Sequence, residues 1–409
     1  MELPAPVLKL CQSVRQAGGR AWLVGGAVRD NLLGINSKDH DVEVHRLEVD
    51  DLRTVLKGLG SVNEIGRSFG VFKLKSGDLE IDVSIPRHDS QTGAGHKDIV
   101  VVGNPFMGLE SAARRRDLTI NAIAYDPLTD EYRDFFDGLR DLKRGRLQAV
   151  DARTFGEDPL RALRVVQFAA RFGFSVHDDL ADLCRTVDLF ALPAERIWSE
   201  FEKLLLKSAV PSFGWALAHD LGILEKVLPE IASLPVEPVS VALDRAAARR
   251  DSVEGKGRTV ALMLSAMLHN AGRGQIEASL DRLGIHKLYG YPVRKRLLEV
   301  IPRIPSLTST AEDRTLRRLA DETELQLAAL AAFAASGHRE AMQNLDRAAR
   351  LGVSLESLPT LLTGSDLRKH GVDPGPRMGE IMRSVRDAQI EGELSDKPGA
   401  LIWLKDLLK

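Results

Sequence analysis

Asp39-His40-Asp41-Val42-Glu43-Val44 alternates polar with apolar residues, the period of a strand, so Asp39 and Asp41 are expected to project from one face. Two carboxylates side by side repel unless a cation lies between them, and the pair reads as a divalent-metal site. Just upstream, Leu23-Val24 ends an apolar run, Gly25-Gly26 lets the backbone turn closely, and Ala27 to Leu33 has helix-forming composition. Strand, tight turn and helix in that order leave backbone N–H groups free at the helix N-terminus. That arrangement suits a phosphate, and Arg29 adds a positive charge one turn in. The two pieces together describe a metal site facing a phosphate cradle.

Two more constellations carry chemistry. Glu80-Ile81-Asp82-Val83-Ser84-Ile85 alternates so that Glu80, Asp82 and Ser84 share the face opposite Ile81, Val83 and Ile85. In Glu157-Asp158-Pro159-Leu160-Arg161, Asp158 and Arg161 lie three apart, on neighbouring positions of one helix face. A carboxylate acceptor beside a guanidinium donor array matches the Watson–Crick edge of a nucleobase. Asp158 suits the N-cap of that helix, Pro159 its first turn and Gly173 its C-terminal cap. Arg161, Arg164 and Arg171 recur along it as a basic stripe.

The surrounding chain supplies elements to hold these groups. Leu8, Leu10, Cys11 and Val14 predict a helix over about 4–18, packed behind a sheet that begins at Trp22. A helix over 50–59 follows, then strands at 71–75 and 79–85 joined by the turn Ser76-Gly77-Asp78. Residues 86–113, with Ser90, Gly93, Gly95 and His96, read as a long loop. From about Lys207 onward the pattern is amphipathic and helical, broken by Pro and Gly, with almost no strand-like alternation.

Bulk properties set bounds. A chain of 409 residues buries a large core and divides into more than one unit. A net charge of −2 excludes a uniformly basic nucleic-acid coat, so any RNA contact comes from local basic stripes. The two cysteines, Cys11 and Cys184, are too few and too distant for a zinc site or disulfide framework. No stretch approaches a membrane span, and the N-terminus lacks a signal core. A soluble cytoplasmic protein is expected.

Several motifs in order extend the reading. LVGGAVRDNLLG running on to Asp39-His40-Asp41, then Arg114-Arg115-Arg116-Asp117-Leu118-Thr119-Ile120-Asn121 and Asp134 to Leu142, then EDPLRALRVVQFAARFGF and ERIWSEFEKLL resemble the class II nucleotidyltransferases. That family comprises the tRNA CCA-adding enzymes and the bacterial poly(A) polymerases. The resemblance implies an α+β architecture: a head with the polymerase-β-like nucleotidyltransferase fold and a mixed sheet, then an all-α neck, body and tail. The expected boundaries are 1–150, 151–206, 207–300 and 301–409.

It implies transfer of CMP and AMP from CTP and ATP to the 3′ end of tRNA, with release of pyrophosphate. Asp39 and Asp41 would hold Mg²⁺, and Asp82 would complete the acidic cluster, with Glu80 a rival on its face. Gly25, Gly26 and Arg29 would cradle the triphosphate, while Arg116, Asp117 and Asn121 would bind ribose and triphosphate. Asp158 and Arg161 would read the base with Glu157 holding the arginine, and Arg164 joins the nucleotide-binding set. The loop over 86–113 argues against an enzyme that adds only CC. An A-adding enzyme, a poly(A) polymerase and a non-catalytic RNA-binding relative remain as alternatives.

Two histidine pairs do not fit the HD-hydrolase pattern. His219-Asp220 sits in what reads as a packing helix, and at Met267-Leu268-His269-Asn270 a neutral Asn270 stands where a metal-binding carboxylate is needed. No phosphohydrolase activity is expected. Gln167 replaces the arginine usual in the family motif, and Arg114 is an addition to it. Basic residues such as Arg249, Arg250, Lys256, Arg258, Arg294, Lys295 and Arg296 are candidates for tRNA phosphates.

Overall fold

The structure is a computed structural model that describes residues 1–36, 39–64, 70–91 and 99–409. Gly93, Gly95 and His96 of the expected loop lie outside the described residues. Two compact units emerge: 1–165 with 172–188, and 166–171 with 189–409.

The first unit is built on a sheet. Its strands are β1 (Arg20–Val24), β2 (Asp41–His45), β3 (Ser61–Glu64), β4 (Val71–Ser76), β5 (Leu79–Ser84), β8 (Ala124–Asp126) and β9 (Glu131–Arg133), numbered so that β6 (Arg87–Gln91) and β7 (Ile99–Gly103) fall between β5 and β8. The seven-stranded order is β3-β4-β5-β2-β1-β8-β9; β2 and β5 run parallel and the other pairs antiparallel. The mixed sheet is the one expected from the resemblance.

Alternation decides which face does what. Leu23, Val42, Val44, Phe72, Leu74, Ile81 and Val83 turn to one side. There they bury against Val7, Leu10, Cys11 and Val14 of helix α1 (Ala5–Gln16); Leu52 and Leu56 of the later helix over Val49–Lys57 complete that core. The opposite face therefore carries Val24, Asp41, Glu43, Asp82 and Ser84. Between these two helices comes α2 (Gly26–Leu32), and Val49–Lys57 is α3.

Two local expectations are corrected. The stretch over 86–113 is no continuous loop: β6 and β7 pair antiparallel, Arg87 opposite Gly103 and Gln91 opposite Ile99, and helix α4 follows at Leu109–Arg114. The run Ile99-Val100-Val101-Val102 is the β-branched signal for that strand. Further on, Gly138 opens helix α5, Gly138–Arg144. Asp39 precedes β2, so its position beside Asp41 comes from the entering chain and not from strand alternation.

Helix α6, Leu160–Phe172, follows the short segment Phe155–Glu157. The Asp158 carboxylate accepts the Leu160 N–H at 3.2 Å, and Gly173 is left-handed at φ +67°, both as the spacing predicts. The second unit is helical throughout its described residues, from Ala194–Lys207 to Lys397–Leu407. The apolar helix Leu325–Ser336 is buried on nearly every side within it. No helix among the described residues is long and apolar enough to cross a membrane.

Candidate active site

Parallel pairing of β2 with β5 sets Asp41 directly opposite Asp82. Glu80 lies one strand repeat away, opposite Lys75 on β4. Lys73, opposite Asp82 on β4, approaches its carboxylate at 3.5 Å. Asp41, Asp82 and Lys73 line a cavity of about 380 Å³ together with Val24, Glu43, Ser84, Arg115 and Arg116. Burial raises the Asp41 carboxyl above its ordinary range; Asp82 and Asp39 push the same way, against the pull of Arg116.

A buried carboxyl crowded by other carboxylates is one that a cation would help to ionise. Among the described residues no group of three His, Cys, Asp or Glu side chains converges as a closed metal cluster. An open pair of carboxylates is instead the donor set of a hard divalent ion that takes its other ligands from substrate phosphates and water. The residues present fit such an ion, and divalent metals are general to nucleotidyltransferases of this type.

Gly25 is the turn residue beside this pair. Its backbone, at φ +70° and ψ −133°, lies where side chains are strained, and a Cβ there would stand 3.0 Å from an Arg116 guanidinium nitrogen and 3.6 Å from an Asp41 carboxylate oxygen. Gly26 is less confined, with the Arg29 guanidinium 3.5 Å from the corresponding position.

Arg29 is only 4 % exposed. Its guanidinium donates to Asp30 at 2.6 and 2.8 Å and to the Asn121 side-chain oxygen at 2.5 Å, and it stacks over the Phe172 ring. Asn121 in turn donates to Asp117 at 2.9 Å, and Arg164 donates to the other Asp117 oxygen at 2.6 Å. Four of the expected nucleotide-binding residues thus form one connected chain, Arg29 to Asn121 to Asp117 to Arg164. Burial would raise the Asp117 carboxyl, but Arg164, Asn121 and the Leu118 N–H outweigh it and hold it below its usual value.

Arg161 donates to the carbonyl oxygens of Thr154 at 2.9 Å and Arg115 at 2.7 Å. Glu157, expected to hold this arginine, is exposed, and the two carbonyls take its place. The side chain is fixed from behind by backbone, in the same unit as the carboxylates. Gln167 is buried to 1 % exposure and its amide nitrogen has no partner, so it presents nothing outward. Arg114 pairs with Glu110 one turn earlier and lies over the Phe136 ring, which accounts for it structurally.

Sequence reasoning passed over Glu43, Lys73 and Arg115. Glu43 is buried to 1 % exposure on the site face of β2. It receives His45 Nε2 at 3.0 Å and stands 3.4 Å from Arg115 and 3.7 Å from Arg116. Burial alone would raise its carboxyl, yet the His45 hydrogen bond and the two arginines bring it down to about 2. The alternation that placed Asp41 on the site face also places Glu43 there; what a single strand cannot reveal is the pair of arginines arriving from residues 115 and 116. In the second unit, His219 lies 3.9 Å from the Asp220 carboxylate. His269 is half-buried, with Nδ1 on the Ala266 carbonyl oxygen, and burial lowers its pKa.

Known proteins resemble this chain over part or all of its length. Residues 21–148 match the family described as poly A polymerase head domain, and residues 183–234 match the probable RNA and SrmB-binding site of polymerase A. The multifunctional CCA protein of Pasteurella multocida is 36 % identical over 226 residues, covering 54 % of this chain and 51 % of that protein. Its Vibrio vulnificus counterpart is 39 % identical over 220 residues, 52 % of each. The matched region thus spans about half the length of these curated relatives.

Among solved structures, the Bacillus stearothermophilus CCA-adding enzyme in complex with CTP aligns with a TM-score of 0.77 at 20 % identity, over 99 % of this chain and 98 % of that one. The Thermotoga maritima CCA-adding enzyme complexed with tRNA aligns at 0.68 and 20 %, over 100 % and 97 %. At such identity the likeness is one of fold, and it extends over the whole chain. The comparisons thus give residues 21–148 as a poly A polymerase head domain and residues 183–234 as the RNA-binding segment that goes with it.

Proposed function

We propose that the chain is a template-independent RNA nucleotidyltransferase that completes the CCA end of tRNA from CTP and ATP in the cytoplasm. The observation that carries this reading is the Asp41–Asp82 register pair, facing Arg116 across a cavity in a head domain of this family. In the reaction the tRNA 3′-oxygen bonds to the α-phosphorus, the bond to the β-phosphate oxygen breaks, and pyrophosphate leaves. Mg²⁺ held by Asp39 and Asp41, with Asp82 in support, would supply charge neutralisation and a lowered pKa for the attacking hydroxyl. Gly25 and Gly26 let the triphosphate approach the backbone. Arg116 meets its charge, and the chain from Arg29 through Asn121 and Asp117 to Arg164 positions the nucleotide.

Asp158 and Arg161 present the acceptor and donor edge that selects the base, and Glu157 at the exposed lip is assigned to nucleotide binding with them. The neck, body and tail segments, 151–206, 207–300 and 301–409, would carry the tRNA. The test is product sizing on tRNA transcripts that end before the CCA, after C and after CC, each with CTP, ATP or both. Growth of the shortest substrate to CCA with both nucleotides is the expected result. A single A added only to the CC-ended transcript would instead mark an A-adding enzyme, long A tails a poly(A) polymerase, and no transfer a non-catalytic relative.

A further inference from the structure

We infer that Glu43 is a positioning residue for nucleotide selection: it fixes Arg116 directly, and through Arg115 it fixes the base-facing Arg161. This rests on the reading just given. Glu43 follows Asp41 by one strand repeat, on the site face of β2, and its carboxylate is enclosed. One oxygen takes His45 Nε2 at 3.0 Å; the other faces Arg115 at 3.4 Å and Arg116 at 3.7 Å. His45 is itself pinned, with Nδ1 donating to the Met107 carbonyl oxygen at 3.0 Å. The carboxylate therefore has a fixed location on the strand that bears Asp41, and two consecutive arginines are registered against it.

The second link runs through the backbone. Arg161 donates to the Arg115 carbonyl oxygen at 2.7 Å. Any shift of residue 115 moves the acceptor that aims this guanidinium. Arg115 is held at its side chain by Glu43, so the strand carrying Asp41 and the helix carrying the base-facing arginine share one anchor. A hydrogen-bonded charge cluster of this kind transmits position because each member is over-determined by its partners.

Positioning and simple charge balance predict different behaviour. If Glu43 only offset positive charge, Glu43→Gln would strengthen nucleotide binding, and Glu43→Asp, which keeps the charge, would behave like the parent protein. If it positions, both variants fail, because the shorter aspartate cannot span His45 and the two arginines. The measurement is single-nucleotide addition to CC-ended and C-ended tRNA, with kcat, KM and the CTP-to-ATP preference for each variant, and with folding checked by circular dichroism.

The expected result is a loss in kcat of about tenfold or more for both Glu43→Gln and Glu43→Asp, with a blurred CTP-to-ATP preference. Arg115→Ala leaves Glu43 in place and keeps the residue 115 carbonyl. It is expected to blur the preference as well, and it serves if the Glu43 variants do not fold. Unchanged preference in all folded variants, or full rescue by Glu43→Asp, overturns the inference. A parent protein that transfers no nucleotide would instead defeat the functional reading beneath it.

Discussion

Gly25 is confined by backbone and by neighbours at once, which makes it the sharpest single-residue test of the cavity. An alanine there adopts a strained conformation, at about 1–3 kcal/mol, and its methyl group stands between Asp41 and Arg116. Gly25→Ala is expected to lower nucleotide transfer by about a hundredfold or more while thermal unfolding stays cooperative, checked by incorporation of labelled CMP alongside circular dichroism. Gly26→Ala, with ordinary contact distance to Arg29, is the milder companion. Asp41→Asn carries a different expectation. It removes a carboxylate whose ionised form is disfavoured by burial and by Asp82 and Asp39, so the protein should become no less stable while transfer is lost. Retained turnover in Asp41→Asn would contradict the metal-binding role.

At the scale of elements, the buried chain from Arg29 to Arg164 ties α2, the Asp117–Asn121 segment and α6 into one piece. Asp117→Asn removes the charged acceptor of Arg164 and Asn121 at a position only 8 % exposed, and is expected to cost about 1–3 kcal/mol. The sign with pH follows from the depressed Asp117 carboxyl. Its contribution is fully present above the ordinary value of 3.8 and is lost as pH falls below it toward the folded value. Urea unfolding of parent and variant at pH 7 and pH 3 should therefore show a gap that narrows in acid.

The elements of this network were legible because each has a local signature. Gly25-Gly26 marks the turn, Pro159 and Gly173 bracket α6, and Gly77-Asp78 closes the β4–β5 hairpin. The β6–β7 ribbon was not, since Arg87-His88-Asp89-Ser90-Gln91 has no apolar alternation and gains its strand character from its partner. The three-residue strands β8 and β9 are too short for periodicity to register. For the site, strand alternation put Asp41 on one face and left Glu80 and Asp82 together on another, and the family motif singled out Asp82. The arginines that surround Glu43 come from across the fold, where no pattern within one strand reports them.

The whole molecule contains its two cysteines in one unit, both buried and neither in a disulfide: Cys11 in α1, and Cys184 in the segment 172–188. Burial raises the Cys11 thiol to about 12, far from the thiolate that attacks reagents. A disulfide reagent at pH 8 is expected to react slowly with the native protein and with two thiols once the first unit opens. Because tryptophans 198, 215 and 403 belong to the other unit, thiol release and the fluorescence of single-Trp22-deleted protein can be followed against each other in denaturant; coincident midpoints would mean one cooperative transition. The chain passes between the units at 165/166, at 171/172 and at 188/189, twice within α6. No single cut in the polypeptide liberates either unit whole. Heredity meets the same obstacle: a crossover between genes exchanges the first unit cleanly only when its breakpoint lies beyond residue 188, so helix α6 must be inherited along with the strands that bear Asp41 and Asp82.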